Sequence, residues 1–94
     1  MLFSVGIEYP SHDGNALGMV VPALSRDDYA CFSAADSEEQ VESMATEAIA
    51  MVVKEMVSNG VSVDSLKDMG LCHYRRLEDY NHCDGWLLLD VDLT

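Results

Sequence analysis

Four carboxylates gather at the start of a long helical pattern, namely Asp36, Glu38, Glu39 and Glu42. Such a group could imitate the phosphates of RNA and dock on a basic protein surface. It could equally be a solvated helix start, because negative charge is favourable at the positive end of the helix dipole. The residues alone leave both interpretations open.

A second group of carboxylates consists of Glu8, Asp90 and Asp92, close to the two ends of the chain. If the first and last strands were parallel neighbours, these side chains would lie toward one edge of a sheet. Clustered carboxylates bind Mg²⁺ and can support two-metal cleavage of a phosphodiester. Such a site would need a carboxylate in the middle of the first strand, where Val5 and Gly6 stand. A solvated strand end is therefore favoured, and a metal-dependent nuclease is kept as the alternative.

Two adjacent pairs, Cys72-His73 and His82-Cys83, contain zinc-binding residue types. Their spacing differs from that of common zinc sites, which separate two ligands by two to four residues. Neighbouring side chains on an extended segment also point in opposite directions. We predict neither a zinc site nor any other cofactor. Cys31 has no basic neighbour in the sequence to activate it, so we assign it to the core.

One long amphipathic helix over residues 37–58 must organise the rest of the chain. Ser37 is a residue type that commonly occupies the N-cap position, and it stands three residues before Gln40, as in a capping box. Asn59 and Gly60 end the pattern. Apolar residues recur at steps of three and four, and so share one face. These residues are Val41, Met44, Ala45, Ala48, Ile49, Val52 and Met56.

Four strands flank this helix along the chain, so that the element order is β-β-β-α-β. They are predicted over residues 2–9, 16–22, 29–33 and 86–93. Between helix and last strand, we expect a short helical turn over 61–70, with Leu66 and Met69 facing inward. The first three strands read as an antiparallel meander, and a right-handed crossover would lay the last strand parallel to the first. The prediction is thus an α+β fold whose four-stranded mixed sheet has the order 3-2-1-4 and one helix across one face. A second copy would cover the open face, giving a dimer or tetramer.

The bulk composition describes a small and strongly acidic domain. The 94 residues, taken as one domain over 1–94, carry 5 Lys+Arg against 17 Asp+Glu, a net charge of −12. This charge repels phosphates and argues against direct nucleic-acid binding by the chain alone, but suits a basic partner. An odd number of cysteines favours a reducing compartment. No signal peptide or membrane span is evident, so we expect a cytoplasmic protein.

The ordered motifs of the chain resemble the HicB antitoxin family. That family shows a strand ending in V-P-x-L, a G-C-x-S-x-G-D-T-like segment leading into an acidic helix, and a V-D-V-D-L-S ending. The matching stretches are residues 20–24 (VVPAL), 31–34 (CFSA), 36–37 (DS) and 89–94 (LDVDLT). Ala30 and Ala35 depart from the pattern, because the family usually has glycine there.

The resemblance implies a degenerate RNase H-like fold and a non-enzymatic role. The partner would be HicA, a small basic mRNA-cleaving toxin that the antitoxin occludes. The expected partner-binding residues are Asp36, Ser37, Glu38, Glu39 and Glu42. Many HicB proteins continue into a DNA-binding domain, and because this sequence stops at Thr94 we expect that domain to be missing. The further alternative is an orphan phage-borne or structural protein without a toxin partner.

Overall fold

The structure is a computed structural model that describes residues 1–10, 16–26 and 29–93. It contains four strands, one long helix, one short helix and two 3₁₀ turns. In chain order these are β1 (Leu2–Glu8), β2 (Leu17–Val20), a 3₁₀ turn (Pro22–Leu24), β3 (Phe32–Ala35), α1 (Glu38–Ser58), a second 3₁₀ turn (Val63–Ser65), α2 (Leu71–Tyr74) and β4 (Gly85–Asp90). The predicted α+β class and element order are confirmed.

The four strands form one sheet in the predicted order 3-2-1-4. Every pair of neighbours is antiparallel, including β1 and β4, in which Leu2 pairs with Asp90 and Ile7 with Gly85. The predicted mixed sheet, with β4 parallel to β1, is therefore wrong. The RNase H-like label that the resemblance implied stays a prediction.

The path of the chain between α1 and β4 explains the antiparallel pairing. Helix α1 ends near the end of the sheet where β1 begins, so a direct crossover would make β4 parallel to β1. Residues 59–84 instead travel back along the sheet. They pass Ser4, which bonds to Asp68, and reach the far end of β1, where the Asp84 N–H donates to the Ile7 carbonyl at 2.8 Å. Strand β4 therefore starts where β1 ends.

Helix α1 packs its apolar stripe on one face of the sheet. Its fully buried residues are Val41, Ala45, Ile49, Val53 and Met56. Val53 was not predicted, whereas the predicted Met44, Ala48 and Val52 are only half-buried. On the sheet side, β1 contributes Phe3, Val5 and Ile7, as its alternation predicted.

The caps of α1 lie where the sequence placed them. Ser37 is the N-cap in extended conformation, but its hydroxyl makes no capping hydrogen bond. The Gln40 side-chain oxygen accepts from the Asp36 N–H at 3.1 Å, one residue before the position that a capping box requires. At the other end Gly60 has φ +90°, the left-handed conformation that favours glycine.

The second face of the sheet is partly covered by residues 68–83. Ser4, which points to this face, is fully buried, and the Tyr74 ring stacks on Trp86 with 6.2 Å between centroids. Leu66 is buried as predicted, but Met69 is exposed, contrary to the prediction. In the part of the chain that the structure describes, no helix is long and apolar enough to cross a membrane.

Candidate functional site

One end of the sheet collects carboxylates from four different elements. Strand β1 finishes there at Glu8, β3 is followed there by Asp36, and Asp84 directly precedes β4. The strand registers place these positions at the same end, because Ile7 pairs with Gly85 and Glu8 with Gly18, next to the Leu17–Ala35 pair. Helix α1 begins at this end as well. We name it the acidic end and define it by Glu8, Asp36, Glu38, Glu39 and Asp84.

Tyr9 connects two of these carboxylates. Its N–H donates to Asp84 Oδ2 at 2.8 Å. The pKa of its phenol is raised, first by a hydrogen bond to the Glu38 carboxylate and next by the negative charge of Glu38. The phenol is protonated at neutral pH and lies close to the carboxylate at the helix start. Tyr9 thus lies between Asp84, to which its backbone bonds, and the helix start at Glu38.

The predicted partner-binding residues are all exposed. They are Asp36, Ser37, Glu38, Glu39 and Glu42. A shallow groove runs along the helix beside Glu39 and Glu42, past Ser43 and Thr46. Among residues 1–10, 16–26 and 29–93, none of the four carboxylates takes part in an ion pair. Their charge is available to an external partner.

The alternative carboxylate cluster of Glu8, Asp90 and Asp92 is not assembled. Glu8 ends β1, whereas Asp90 pairs with Leu2 at the opposite end of that strand. The Asp90 carboxylate accepts a hydrogen bond from the N-terminal ammonium group at 2.9 Å. The predicted grouping is wrong because it required β4 to run parallel to β1.

Glu8 instead meets two residues of the segment before β4. The ligating atoms of Glu8, His82 and Cys83 all lie within 4.8 Å of one another. His82 Nε2 is in hydrogen-bond contact with Glu8 Oε1. From the sequence, His82-Cys83 and Glu8 were candidate ligands of separate sites, but their approach to one another was not predicted, since Glu8 is remote from the other two in the chain. Cys72 and His73 lie exposed in α2 and do not belong to it.

The three thiols differ in their surroundings, although all are free. Cys31 is fully buried in the core, as predicted, and burial raises its pKa to about 11. Burial also raises the pKa of Cys83, and the charges of Glu8 and Asp84 raise it further. Both thiols are therefore protonated at neutral pH, and neither is an activated nucleophile.

A groove of about 340 Å³ lies on the second face beside Glu8 and His82. Aromatic side chains of Tyr29, Phe32 and Tyr80 contribute to its lining. Glu8 and His82 belong to its lining, so the groove adjoins the Glu8–His82–Cys83 cluster.

A comparison with family models matches residues 3–94 to the HicB-like antitoxin of bacterial toxin-antitoxin systems. The chain belongs to this family. The resemblance that the motifs carried is thereby confirmed. A search of curated protein sequences finds no match.

Solved structures share the fold of this HicB-like domain. The HicB antitoxin of Burkholderia pseudomallei superposes with a TM-score of 0.74 at 22% identity, covering 99% of this chain and 64% of that one. The N-terminal domain of the same antitoxin gives 0.72 at 22% identity and covers 99% of this chain and 100% of that one. A chain of the HicA3 and HicB3 toxin-antitoxin complex gives 0.72 at 16% identity, with coverages of 98% and 99%. The chain thus spans 64% of the length of the longer B. pseudomallei antitoxin.

Proposed function

We propose that this HicB-like protein is a non-enzymatic antitoxin that binds a small, basic HicA-type toxin and occludes its RNA-binding and catalytic face. Membership of the antitoxin family supports this role. The likeness to a chain from a HicA3 and HicB3 complex supports a HicA-type partner. The observation that carries the choice of surface is the acidic end, where exposed carboxylates from several elements converge.

Electrostatics explains how this surface would act. Within α1 the only cation is Lys54, late in the helix, so the first turns present uncompensated negative charge. A partner of opposite charge is steered to such a surface, which raises the association rate, while apolar contacts hold the complex. The net charge of −12 also disfavours direct binding of nucleic acid by this chain. The nuclease alternative has no supporting observation, because Glu8 and Asp90 lie at opposite ends of β1.

The test uses a basic HicA-type toxin co-expressed with this chain and measures the rate at which the two proteins associate and the RNase activity of the toxin. The variant Glu38→Gln, Glu39→Gln, Glu42→Gln removes three charges from the helix start. We expect its association rate at low salt to fall by about tenfold and its salt dependence to flatten, since steering contributes factors of about 10–10³. Wild-type protein should abolish RNase activity at equimolar ratio.

A matched control removes three charges elsewhere, through Glu55→Gln, Asp64→Asn and Glu78→Gln. All three residues are exposed and lie outside the acidic end. Equal slowing by both variants would show that only the overall field matters and would refute the assignment of this surface. Unimpaired RNase activity in the presence of wild-type protein would refute the antitoxin role itself.

We also propose that a second copy of the chain packs against the second face of the sheet, as the sequence suggested. Phe32 and Leu88 point to this face and are 67% and 51% exposed. Their apolar surface would be removed from water in a homo-oligomer. Sedimentation equilibrium measures whether the protein is larger than a monomer.

A further inference from the structure

We propose that Glu8, His82 and Cys83 form a binding site for a divalent transition metal, with Zn²⁺ as the preferred ion. Carboxylate oxygen, imidazole nitrogen and thiolate sulfur are the ligands that Zn²⁺ accepts in proteins. Their ligating atoms lie within 4.8 Å of one another. This mixed set of donors suits a borderline-soft ion better than Mg²⁺ or Ca²⁺, which take oxygen ligands. The proposal does not rest on the proposed toxin binding, although Glu8 belongs to the acidic end.

The arrangement needs only small adjustments to coordinate an ion. With bond lengths of about 2.0–2.3 Å, the ligands of tetrahedral zinc lie roughly 3.3–3.8 Å apart. The three ligating atoms are already within 4.8 Å, and Glu8 and His82 are exposed side chains that can rotate. Binding would break the Glu8–His82 hydrogen bond and form zinc bonds to Glu8 Oε1 and His82 Nε2. The Cys83 thiol would lose its proton to solvent and bind as thiolate.

Hydrogen bonds of the backbone and of the Asp84 carboxylate hold the two ligand-bearing segments together. The Asp84 N–H donates to the Ile7 carbonyl at 2.8 Å, and the Tyr9 N–H donates to the Asp84 carboxylate at 2.8 Å. The Cys83 N–H donates to the Tyr80 carbonyl at 3.1 Å, which closes the turn that presents the thiol. The ligands therefore project from backbone that is fixed before any ion binds.

Gly6 supplies the space that the thiol occupies. A Cβ atom at this position would lie only 2.8 Å from Cys83 Sγ, so a side chain there would displace the thiol. Gly6 and Glu8 are two residues apart on β1 and face the same side of the sheet. The bare backbone thus lets Cys83 settle over the strand, next to the carboxylate.

The fourth coordination position would be open. The cluster borders the groove of about 340 Å³ that also contains Tyr80. Three protein ligands with a water molecule in the fourth position is an arrangement that zinc adopts in proteins. A bound ion would link the turn before β4 to the end of β1, and so tie residues 59–84 to the sheet.

Titration of the reduced protein with Co²⁺ tests the site, followed by displacement with Zn²⁺. A thiolate-to-cobalt charge-transfer band reports coordination by cysteine. Trp86 fluorescence reports whether the ion binds at this cluster. A Cβ atom built on Gly6 would lie 2.8 Å from Cys83 Sγ and 3.1 Å from Trp86 Cη2, so the indole ring is close to the thiol. We expect one Co²⁺ per chain, a charge-transfer band, quenching of Trp86 fluorescence, and reversal of all three by Zn²⁺.

Single substitutions identify the ligands. Glu8→Gln, His82→Asn and Cys83→Ser should each weaken Co²⁺ binding by at least about tenfold, since even groups behind the ligands contribute that much. The matched control is Cys72→Ser with His73→Asn, the same residue types in an exposed helix, and should leave binding unchanged. Circular dichroism confirms that each variant is folded. Absence of the band, a band without Trp86 quenching, or loss of binding in the control variant would overturn the proposal.

Discussion

The Asp68 carboxylate accepts a hydrogen bond from the first half of β1 that a neighbouring strand would otherwise accept. Strand β2 pairs with β1 only over Gly6–Glu8, so the Ser4 N–H is met by a side chain instead. Asp68 Oδ1 accepts from the Ser4 N–H at 2.7 Å, and Oδ2 accepts from the Ser4 hydroxyl at 2.6 Å and from the Gly70 N–H at 3.0 Å. Removing this carboxylate should therefore destabilise the fold.

The size of the effect follows from burial. Ser4 is 0% exposed, so Asp68→Ala would leave two of its donors without an acceptor and out of reach of water. An unsatisfied buried donor costs about 1–3 kcal/mol, and the hydroxyl can rotate to recover part of that cost. We expect a loss of about 3 kcal/mol in the free energy of unfolding. In a domain of this size that lowers Tm by roughly 12–24 °C.

Urea denaturation followed by Trp86 fluorescence measures this loss. Asp68→Asn keeps an acceptor for the Ser4 N–H and should cost only about 1 kcal/mol. Asp64→Ala removes an exposed carboxylate from the same segment and should change stability by less than about 0.5 kcal/mol. A similarly small change for Asp68→Ala would refute the reasoning. So would equal losses for the alanine and asparagine variants, because the acceptor count would then be irrelevant.

Two further predictions concern the core and the second face. Burial raises the pKa of Cys31 from 9.0 to about 11. The buried neutral thiol therefore contributes fully to the free energy of unfolding below pH 9, and this contribution of about 2–3 kcal/mol is lost as the pH rises through 11. Cys31→Val cannot ionise, and its urea stability should decline less over that pH range; matching pH profiles would contradict this. Phe32→Ser with Leu88→Ser should lower the molecular mass measured by sedimentation equilibrium. A monomeric wild-type protein would disprove the oligomer.

Helix α1 was predictable because its signals are local. A repeat of apolar residues at three and four positions defines a helix face without any knowledge of its partner. Asn59 and Gly60 mark the end that the structure shows, and Ser37 marks the start. The edge of the stripe was misjudged, since Val53 is buried, whereas the predicted Met44, Ala48 and Val52 are half-buried. Which edge of the stripe is buried depends on how the helix crosses the sheet, and the repeat of apolar residues does not determine that crossing.

Strand β3 was placed too early because its position is set by its neighbour. Apolar and aromatic content favoured residues 29–33, but pairing with β2 selects Phe32–Ala35. Cys31 belongs to the preceding loop, where its N–H donates to Ser25 Oγ at 3.1 Å and its carbonyl accepts from the Val21 N–H at 3.0 Å. Composition identified the strand, whereas register required the tertiary fold.

The direction of β4 decides which residues can act together. A parallel β4 would have brought Asp90 beside Glu8 and created the carboxylate cluster of a nuclease. The antiparallel β4 sends Asp90 to the N-terminal ammonium group and brings His82 and Cys83 to Glu8 instead. The hydrophobic pattern within β4 favours neither direction, because alternation is identical for a strand and its reverse, and the crossover rule favoured the wrong one. The direction depends on the return of residues 59–84 along the sheet, which rests on the non-local hydrogen bonds of Asp68 and Asp84. The helix start could therefore be predicted from local sequence, whereas the remainder of the acidic end and the proposed metal ligands could not.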